Sequence, residues 1–236
     1  MTDAPHPLAE PLLPLATWDS AATWETFGNG TFHGVIAGVE IQKCADDLDR
    51  YNELIEISQP DLVIETGTRR GGSALWFRSM GLQVITIDLE DNAGDDAQRA
   101  RPQDYNIHYI RGHSSVNLGA DRMSAIQAIC RGKRIMVSLD SDHHSAHVEQ
   151  EIALWSRFVS PGCYLVVEDA CFDMWIRDAP GQARVGGSRI PEEGGPLTAI
   201  QNSRGLLQRR AFWRDTELEG LTSISHSPCG WWRHDD

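Results

Sequence analysis

Three groups of residues in this chain carry side chains that could do chemistry, and each follows a short apolar run. The first is Glu65-Thr66-Gly67-Thr68-Arg69-Arg70-Gly71-Gly72-Ser73. Glycines directly after a strand let the backbone approach a ligand and turn into a helix, whose first amides attract negative charge. The spacing Gly67…Gly71-Gly72 differs from the GxGxxG dinucleotide fingerprint, and an acid opening the loop would repel a pyrophosphate. A cofactor carrying a cationic group and a carboxylate, such as S-adenosylmethionine, suits Glu65, Gly67, Thr68, Gly71, Gly72 and Ser73 better. A tight strand–helix turn with no ligand is the plain alternative.

The second group opens with Asp88, about 23 residues after Glu65 at the end of QVITID. An acid at the end of the second strand takes a ribose hydroxyl pair in nucleotide-binding α/β folds; a helix-capping or solvated Asp is the alternative. His113 and Ser114, after the next apolar run, could supply adenine contacts, or simply lie on the surface.

The third group is Asp140-Ser141-Asp142-His143-His144, together with Glu168-Asp169. Three acids converging at neutral pH repel one another and rise in pKa unless a cation intervenes. Oxygen ligands of this kind suit Mg²⁺, Mn²⁺ or Ca²⁺, so Asp140, Glu168 and Asp169 are the candidate metal ligands. His143, three residues beyond Asp140, is placed to act as a general base on a coordinated hydroxyl. A zinc site through His143, His144 and His147 lacks supporting Cys or HExxH spacing. Capping acids without a metal are the remaining alternative.

These groups need a scaffold that brings strand ends together. Apolar positions Leu48, Tyr51, Leu54, Ile55 and Ile57 predict a helix from Asp46 to Ile57, stopped by Gln59-Pro60. An alternation follows: strand DLVI, helix SALWFRSMG, strand QVITIDLE, a polar loop, strand NIHYIRG, then a helix-bearing stretch to Lys133. Strand KRIMVSL, helix SAHVEQEIALW and strand CYLVVEDA complete it. Strand, crossover helix, strand argues an α/β fold with a mostly parallel sheet and helices on both faces. Such sheets hold ligands outside the carboxyl ends of their strands. Glu65, Asp88, Asp140, Glu168 and Asp169 all sit at those ends. A helix in PLTAIQNSRGLL and a C-terminal antiparallel hairpin follow.

Residues 1–40 are expected to form an N-terminal arm and cap, with 18–38 irregular because neither period 2 nor period 3.6 persists. Residues 41–236 form the main domain. Within it, 172–195 breaks the alternation with Gly, Pro and charge, as a substrate lid would. The ring side chains Trp18, Trp24, Trp213, Trp231 and Trp232 are sugar platforms or packing.

Composition narrows the function classes. The chain has 236 residues, long enough to bury a core without disulfides or a structural metal. A net charge of -13 argues against nucleic acid and anionic lipid as partners. No apolar stretch approaches the roughly 18–20 residues of a membrane helix. The first 15 residues hold four prolines and no positive start, unlike a signal peptide. Five scattered cysteines suggest reduced thiols and a cytoplasmic location.

The segments Lys43 to Asp49, PDLVIETGTRRGGSALWF, VITIDLE, LDSDHHSAHV, SPGCYLVVED and PCGWWR, in that order, resemble a known family. It is the cephalosporin-hydroxylase-type and rhamnosyl O-methyltransferase group, related to macrolide-sugar O-methyltransferases. The resemblance covers roughly residues 40–171 and 194–233. It implies a Rossmann-like class I methyltransferase fold, S-adenosylmethionine and a divalent metal, usually Mg²⁺. Glu65 and Gly67 would open the cofactor loop and Asp88 would hold the ribose. Asp140, Glu168 and Asp169 match the family's metal ligands, and His143 its base. No 2-His-1-carboxylate iron pattern supports the word hydroxylase. The expected activity is methyl transfer to a hydroxyl of a small molecule, a glycoside of natural-product or antibiotic biosynthesis, by a homo-oligomer. A non-sugar acceptor and a non-catalytic binding role are the competing expectations.

Overall fold

In the computed structural model, the residues described are 12, 14–29, 33–89, 106–112, 115–178, 184–185, 188–189 and 194–236. The chain begins with α1 (Ser20–Asn29), β1 (His33–Ile36), β2 (Val39–Gln42) and α2 (Ala45–Ser58). The alternating section comprises β3 (Leu62–Thr66), α3 (Gly72–Ser79), β4 (Gln83–Asp88), β5 (Ile107–Arg111), α4 (Ala120–Cys130), β6 (Ile135–Leu139), α5 (Ser145–Trp155) and β7 (Tyr164–Val167). Then come α6 (Cys171–Asp178), two-residue strands β8 (Arg184–Val185) and β9 (Ser188–Arg189), α7 (Pro196–Arg209), β10 (Phe212–Arg214), α8 (Thr216–Glu219) and β11 (Trp231–His234).

Seven strands form one sheet in the order β10-β11-β7-β6-β3-β4-β5. The five strands from β7 to β5 are parallel, and β11 and β10 close the other edge antiparallel. Every residue of β3, β6 and β7 is buried, so both faces of the sheet centre are covered. That burial explains the continuous apolar runs read in the sequence. The chain leaves β3 toward β4 and β5, then returns to β6 on the other side of β3. The order therefore reverses between β3 and β6, the point outside whose carboxyl ends sheets of this kind hold ligands. Glu65 is in register with Thr86 and Ser138, so these polar side chains meet at one level of an otherwise apolar sheet.

The α/β reading and the C-terminal hairpin hold, while the stretch expected to be irregular contains regular elements. Within 18–38, Ser20–Asn29 is a helix, with the side chain of Asp19 accepting from the Ala22 amide at 2.9 Å. Its apolar stripe is diluted by Thr, Ser and Glu, which hid the helical period. β1 and β2 then pair through a two-residue turn, Ala37-Gly38, with both residues at positive φ. Such a turn suits the twist of a hairpin, but Ala is a poor signal for it. β2 crosses the expected boundary between residues 40 and 41.

The expected lid, 172–195, starts inside α6, and of its residues 172–178, 184–185, 188–189 and 194–195 are described. The carboxylate of Asp173 accepts from the amides of Gly195, Leu197 and Thr198 at 2.8–3.1 Å. It thereby caps the start of α7 and ties the two ends of the excursion together. The side chains of Trp175, Arg177, Arg184 and Arg189 lie outside the described residues, as does most of 1–17.

Gly72 shows how tightly the N-terminal hairpin is seated. A Cβ there would lie 2.0 Å from the carbonyl oxygen of Glu40 on β2. Gly205, inside α7, would meet only the far end of Arg209 at 3.4 Å. Alanine should therefore act with opposite sign at the two positions in urea unfolding. Gly72→Ala is expected to cost about 1–3 kcal/mol by overpacking, and Gly205→Ala to add up to about 1 kcal/mol by helix propensity. A neutral Gly72→Ala would mean that the hairpin is not held against α3.

Candidate active site

Glu65 is completely buried at the end of β3, where its Oε2 accepts from Thr86 Oγ1 at 2.8 Å. Thr86 Oγ1 in turn meets Thr68 Oγ1 at 2.6 Å, so the Thr68 hydroxyl is turned inward. Glu65 Oε1 is buried with no hydrogen-bond partner among the described residues. A buried acceptor without a donor is expensive and points to a missing group. Burial, only partly offset by the nearby Lys43 charge, raises the Glu65 carboxyl to about 6.

The glycines of the loop serve two different purposes. A Cβ on Gly67 would fall 1.8 Å from the Asp140 carbonyl oxygen, so this glycine lets the loop after β3 pack on the loop after β6. Gly72 is likewise filled by β2, and neither faces open space. Gly71 is required by its φ of 82°, where the chain turns into α3. Ser73 is buried in the first turn of that helix. Asp88 reaches back to the loop: its Oδ2 accepts from the Arg69 amide at 2.7 Å and its Oδ1 from the Leu89 amide at 2.7 Å. These bonds tie it to the loop that carries Gly67 to Gly72. His113 and Ser114 lie outside the described residues.

Asp140, His143 and Asp169 each offer one ligand atom, and these atoms lie within 4.8 Å of one another. Asp140 follows β6, His143 precedes α5, and Asp169 follows β7. His143 Nε2 is 3.4 Å from Asp169 Oδ2, and its ring packs edge-on against Phe172 with centroids 5.1 Å apart. Asp169 has a left-handed backbone, φ 57°. Desolvation and the charge of Glu168 raise Asp140 to about 7 despite Lys43. Desolvation, Asp140 and Glu168 push Asp169 well above the carboxylate range. Burial lowers His143 below the ordinary imidazole value. Carboxylates this hard to ionise fit a site completed by a cation, and their oxygen-rich set suits a hard divalent ion.

Glu168 does not join that group. Lys43 donates from Nζ to its Oε1 at 2.6 Å and its Oε2 at 2.7 Å. Tyr51 and Ser138 hydroxyls also reach Oε1, at 2.7 and 2.6 Å. Of the expected ligands Asp140, Glu168 and Asp169, the two aspartates lie in this cluster with His143, and Glu168 lies next to it on Lys43. The same ammonium lies 3.1 Å from Asp140 Oδ2. Although burial opposes its charge, Glu168, Asp140 and Glu65 together raise the Lys43 pKa.

Lys43 is the residue of this region that sequence reasoning missed. A lone lysine before a helix reads as solvated surface, and only its place at the head of the resembling segments singled it out.

His143, His144 and His147 occupy three separate environments, against the zinc alternative. His144 Nδ1 pairs with Asp142. His147 Nε2 meets Ser115 Oγ at 2.8 Å and Ser141 Oγ at 3.3 Å, beside the buried Glu151. Trp231 and Trp232 are core residues, whereas Trp213 is half exposed and bonded to Asp235. All five cysteines are free and buried. No helix among the described residues is long and apolar enough to cross a membrane.

Known proteins share this arrangement of elements. The apo structure of CmcI aligns with a TM-score of 0.58 at 18% identity, covering 96% of this chain and 90% of that one. The Mg-SAM structure of CmcI aligns with a TM-score of 0.56 at 20% identity, over 85% and 76% of the two chains. At such identities the likeness is one of fold. A rhamnosyl O-methyltransferase of Mycobacterium bovis (strain BCG / Pasteur 1173P2) is 36% identical over 139 residues, 56% of this chain. That alignment spans 55% of the relative, so the chain matches about half the length of the curated protein. The sequence profile described as Rhamnosyl O-methyltransferase/CmcI matches residues 31–235, nearly all of the scaffold and every residue of the site. The chain belongs to the rhamnosyl O-methyltransferase/CmcI family.

Proposed function

We propose that this protein is an S-adenosylmethionine-dependent O-methyltransferase that uses a divalent ion, Mg²⁺ foremost, and methylates a hydroxyl on a sugar of a small natural product. The observation that carries the reading is the Asp140–His143–Asp169 cluster, joined through the Gly67–Asp140 backbone contact to the loop that starts at Glu65. Family membership supports it, as do the name of the mycobacterial relative and the Mg-SAM description of the CmcI structure.

The residues divide the work between two neighbouring strand ends. Glu65 offers its unpartnered oxygen to the cationic part of the cofactor, and Asp88 stands where a ribose is held in such folds. His113 and Ser114 remain the proposed adenine contacts. Asp140 and Asp169 would hold the ion. When bound, the cofactor supplies an activated methyl group and the ion a Lewis acid that orients and acidifies neighbouring acceptor oxygens. His143, whose pKa burial lowers, accepts the proton of the acceptor hydroxyl. Most of the rate advantage comes from holding the reacting atoms in line. The charge of -13 makes a polyanionic acceptor a poor fit, and a neutral glycoside a better one.

Three outcomes test this. Purified protein with S-adenosylmethionine and Mg²⁺ should add one methyl group to a member of a rhamnoside and glycoside panel, the position being read by NMR. A methyl found only on a carboxylate, amine or peptide would remove the sugar assignment. His143→Ala should retain cofactor binding while turnover falls roughly 10²–10⁴-fold; unchanged turnover would remove the base role. For Asp140→Ala, activity should vanish at every practical Mg²⁺ concentration, and survival of activity would make the acids structural.

A further inference from the structure

His147, Glu151 and Trp155 follow one another at intervals of four along α5, so their side chains share one face of the helix. None has a part in the chemistry above, yet all three reach residues that leave the sheet. His147 Nε2 meets Ser115 Oγ at 2.8 Å and Ser141 Oγ at 3.3 Å. The Ser141 hydroxyl donates to Glu151 Oε1 at 2.7 Å. Trp155 Nε1 donates to the Ser115 carbonyl at 3.2 Å, so Ser115 is held by hydroxyl and backbone alike. Glu151 Oε2 is buried with no hydrogen-bond partner among the described residues, so this carboxylate depends on Ser141 and on the imidazole 3.7 Å away.

A serine, a histidine and an acid suggest a nucleophile first, and the geometry speaks against it. Carboxylate and hydroxyls address the same ring nitrogen, whereas a nucleophilic triad uses the two nitrogens for different partners. Ser115 is also buried. What the group does is join two strand exits. Ser115 follows β5 and Ser141 follows β6, and in the sheet β3 and β4 lie between these strands. Three strand spacings amount to roughly 14 Å, yet the two serine hydroxyl oxygens lie 3.3 Å apart. The bridge therefore spans the strands that carry Glu65 and Asp88. Ser141 also packs on the loop after β3, since a Cβ on Gly67 would come 3.0 Å from its Cα. Ser115 directly follows His113 and Ser114 in the chain.

We propose that His147 is a positioning residue of the cofactor site: bonded to Ser115, it holds the loop after β5 at the nucleoside half of S-adenosylmethionine. The role rests on the cofactor reading above. Glu151 supports it by favouring a proton on the ring, since this carboxylate raises His147 above the ordinary imidazole value. The ring then donates from Nε2 and Ser115 accepts. The effect falls on the nucleoside, and the amino-acid half is left to the loop opened by Glu65.

The test is calorimetric titration of the full chain with S-adenosylhomocysteine and with 5′-methylthioadenosine, which keeps the nucleoside and lacks the amino acid. His147→Ala should weaken both ligands about tenfold, the size of effect that a lost hydrogen bond from a charged donor has. Ser115→Ala, which removes a single oxygen atom, should do the same, and it keeps the test open if His147→Ala fails to fold. His147→Gln, whose amide can place a donor near the position of Nε2, should stay within about threefold of the parent protein. Combining His147→Ala with Ser115→Ala should cost no more than about tenfold, because both changes break one contact. Unchanged affinity in both alanine variants would overturn the proposal, as would a loss confined to S-adenosylhomocysteine. A roughly hundredfold loss in the double variant would mean that the two residues act separately, and would overturn it too. So would a His147→Gln protein as weak as His147→Ala, since packing rather than the hydrogen bond would then be at work. Failure of the parent protein to bind either ligand would instead sink the cofactor reading itself.

Discussion

Acids gathered at one edge of a buried sheet cannot all be ionised unless positive charge meets them. This constraint organises the region around β3, β6 and β7, where Glu65, Asp140, Glu168 and Asp169 converge. One part of the answer is built in: Lys43 is enclosed between Glu168 and Asp140. The rest is left open, since Asp140 and Asp169 remain hard to ionise with Lys43 in place. A divalent ion between them, as proposed, would satisfy the remaining demand.

Backbone contacts tie this charged region to the loop after β3. Gly67 lets the turn after β3 press on the carbonyl of Asp140, so loop and ion cluster cannot move independently. Gly72 does the same between α3 and β2, the strand that delivers Lys43. Arg50 of α2 holds the other side: it is buried and donates to the carbonyls of Glu219, Thr222 and Ile224. Asp47, one turn earlier, accepts from the Ser225 hydroxyl and the His226 amide. The C-terminal loop is thereby fastened to the helix that follows Lys43.

Much of this was legible in the sequence because apolar runs ending in acids mark buried parallel strands. Glu65, Asp88, Asp140 and Asp169 fell where the strand pattern placed them, and the order reversal between β3 and β6 brought Glu65 and Asp140 together. Glu168 and Asp169 were legible only as a pair, whereas the two carboxylates are used separately, one toward Lys43 and one toward His143. The purpose of the glycines was only half legible, since Gly67 and Gly72 admit protein backbone. Lys43, Tyr51 and Ser138 could not be read, because their meeting depends on three separate elements closing on one point. The β1–β2 hairpin was hidden by an Ala-Gly turn that carries little local signal.

The central claim is that the loop opened by Glu65 binds S-adenosylmethionine beside an ion site that serves the acceptor. Calorimetric titration of S-adenosylhomocysteine into the purified protein, once with Mg²⁺ and once with EDTA, tests it most directly. Micromolar binding is expected in both conditions, because Glu65, Asp88 and the loop are assembled by protein contacts rather than by the ion. Absence of binding in both would contradict it and return the glycine-rich loop to a simple turn between strand and helix.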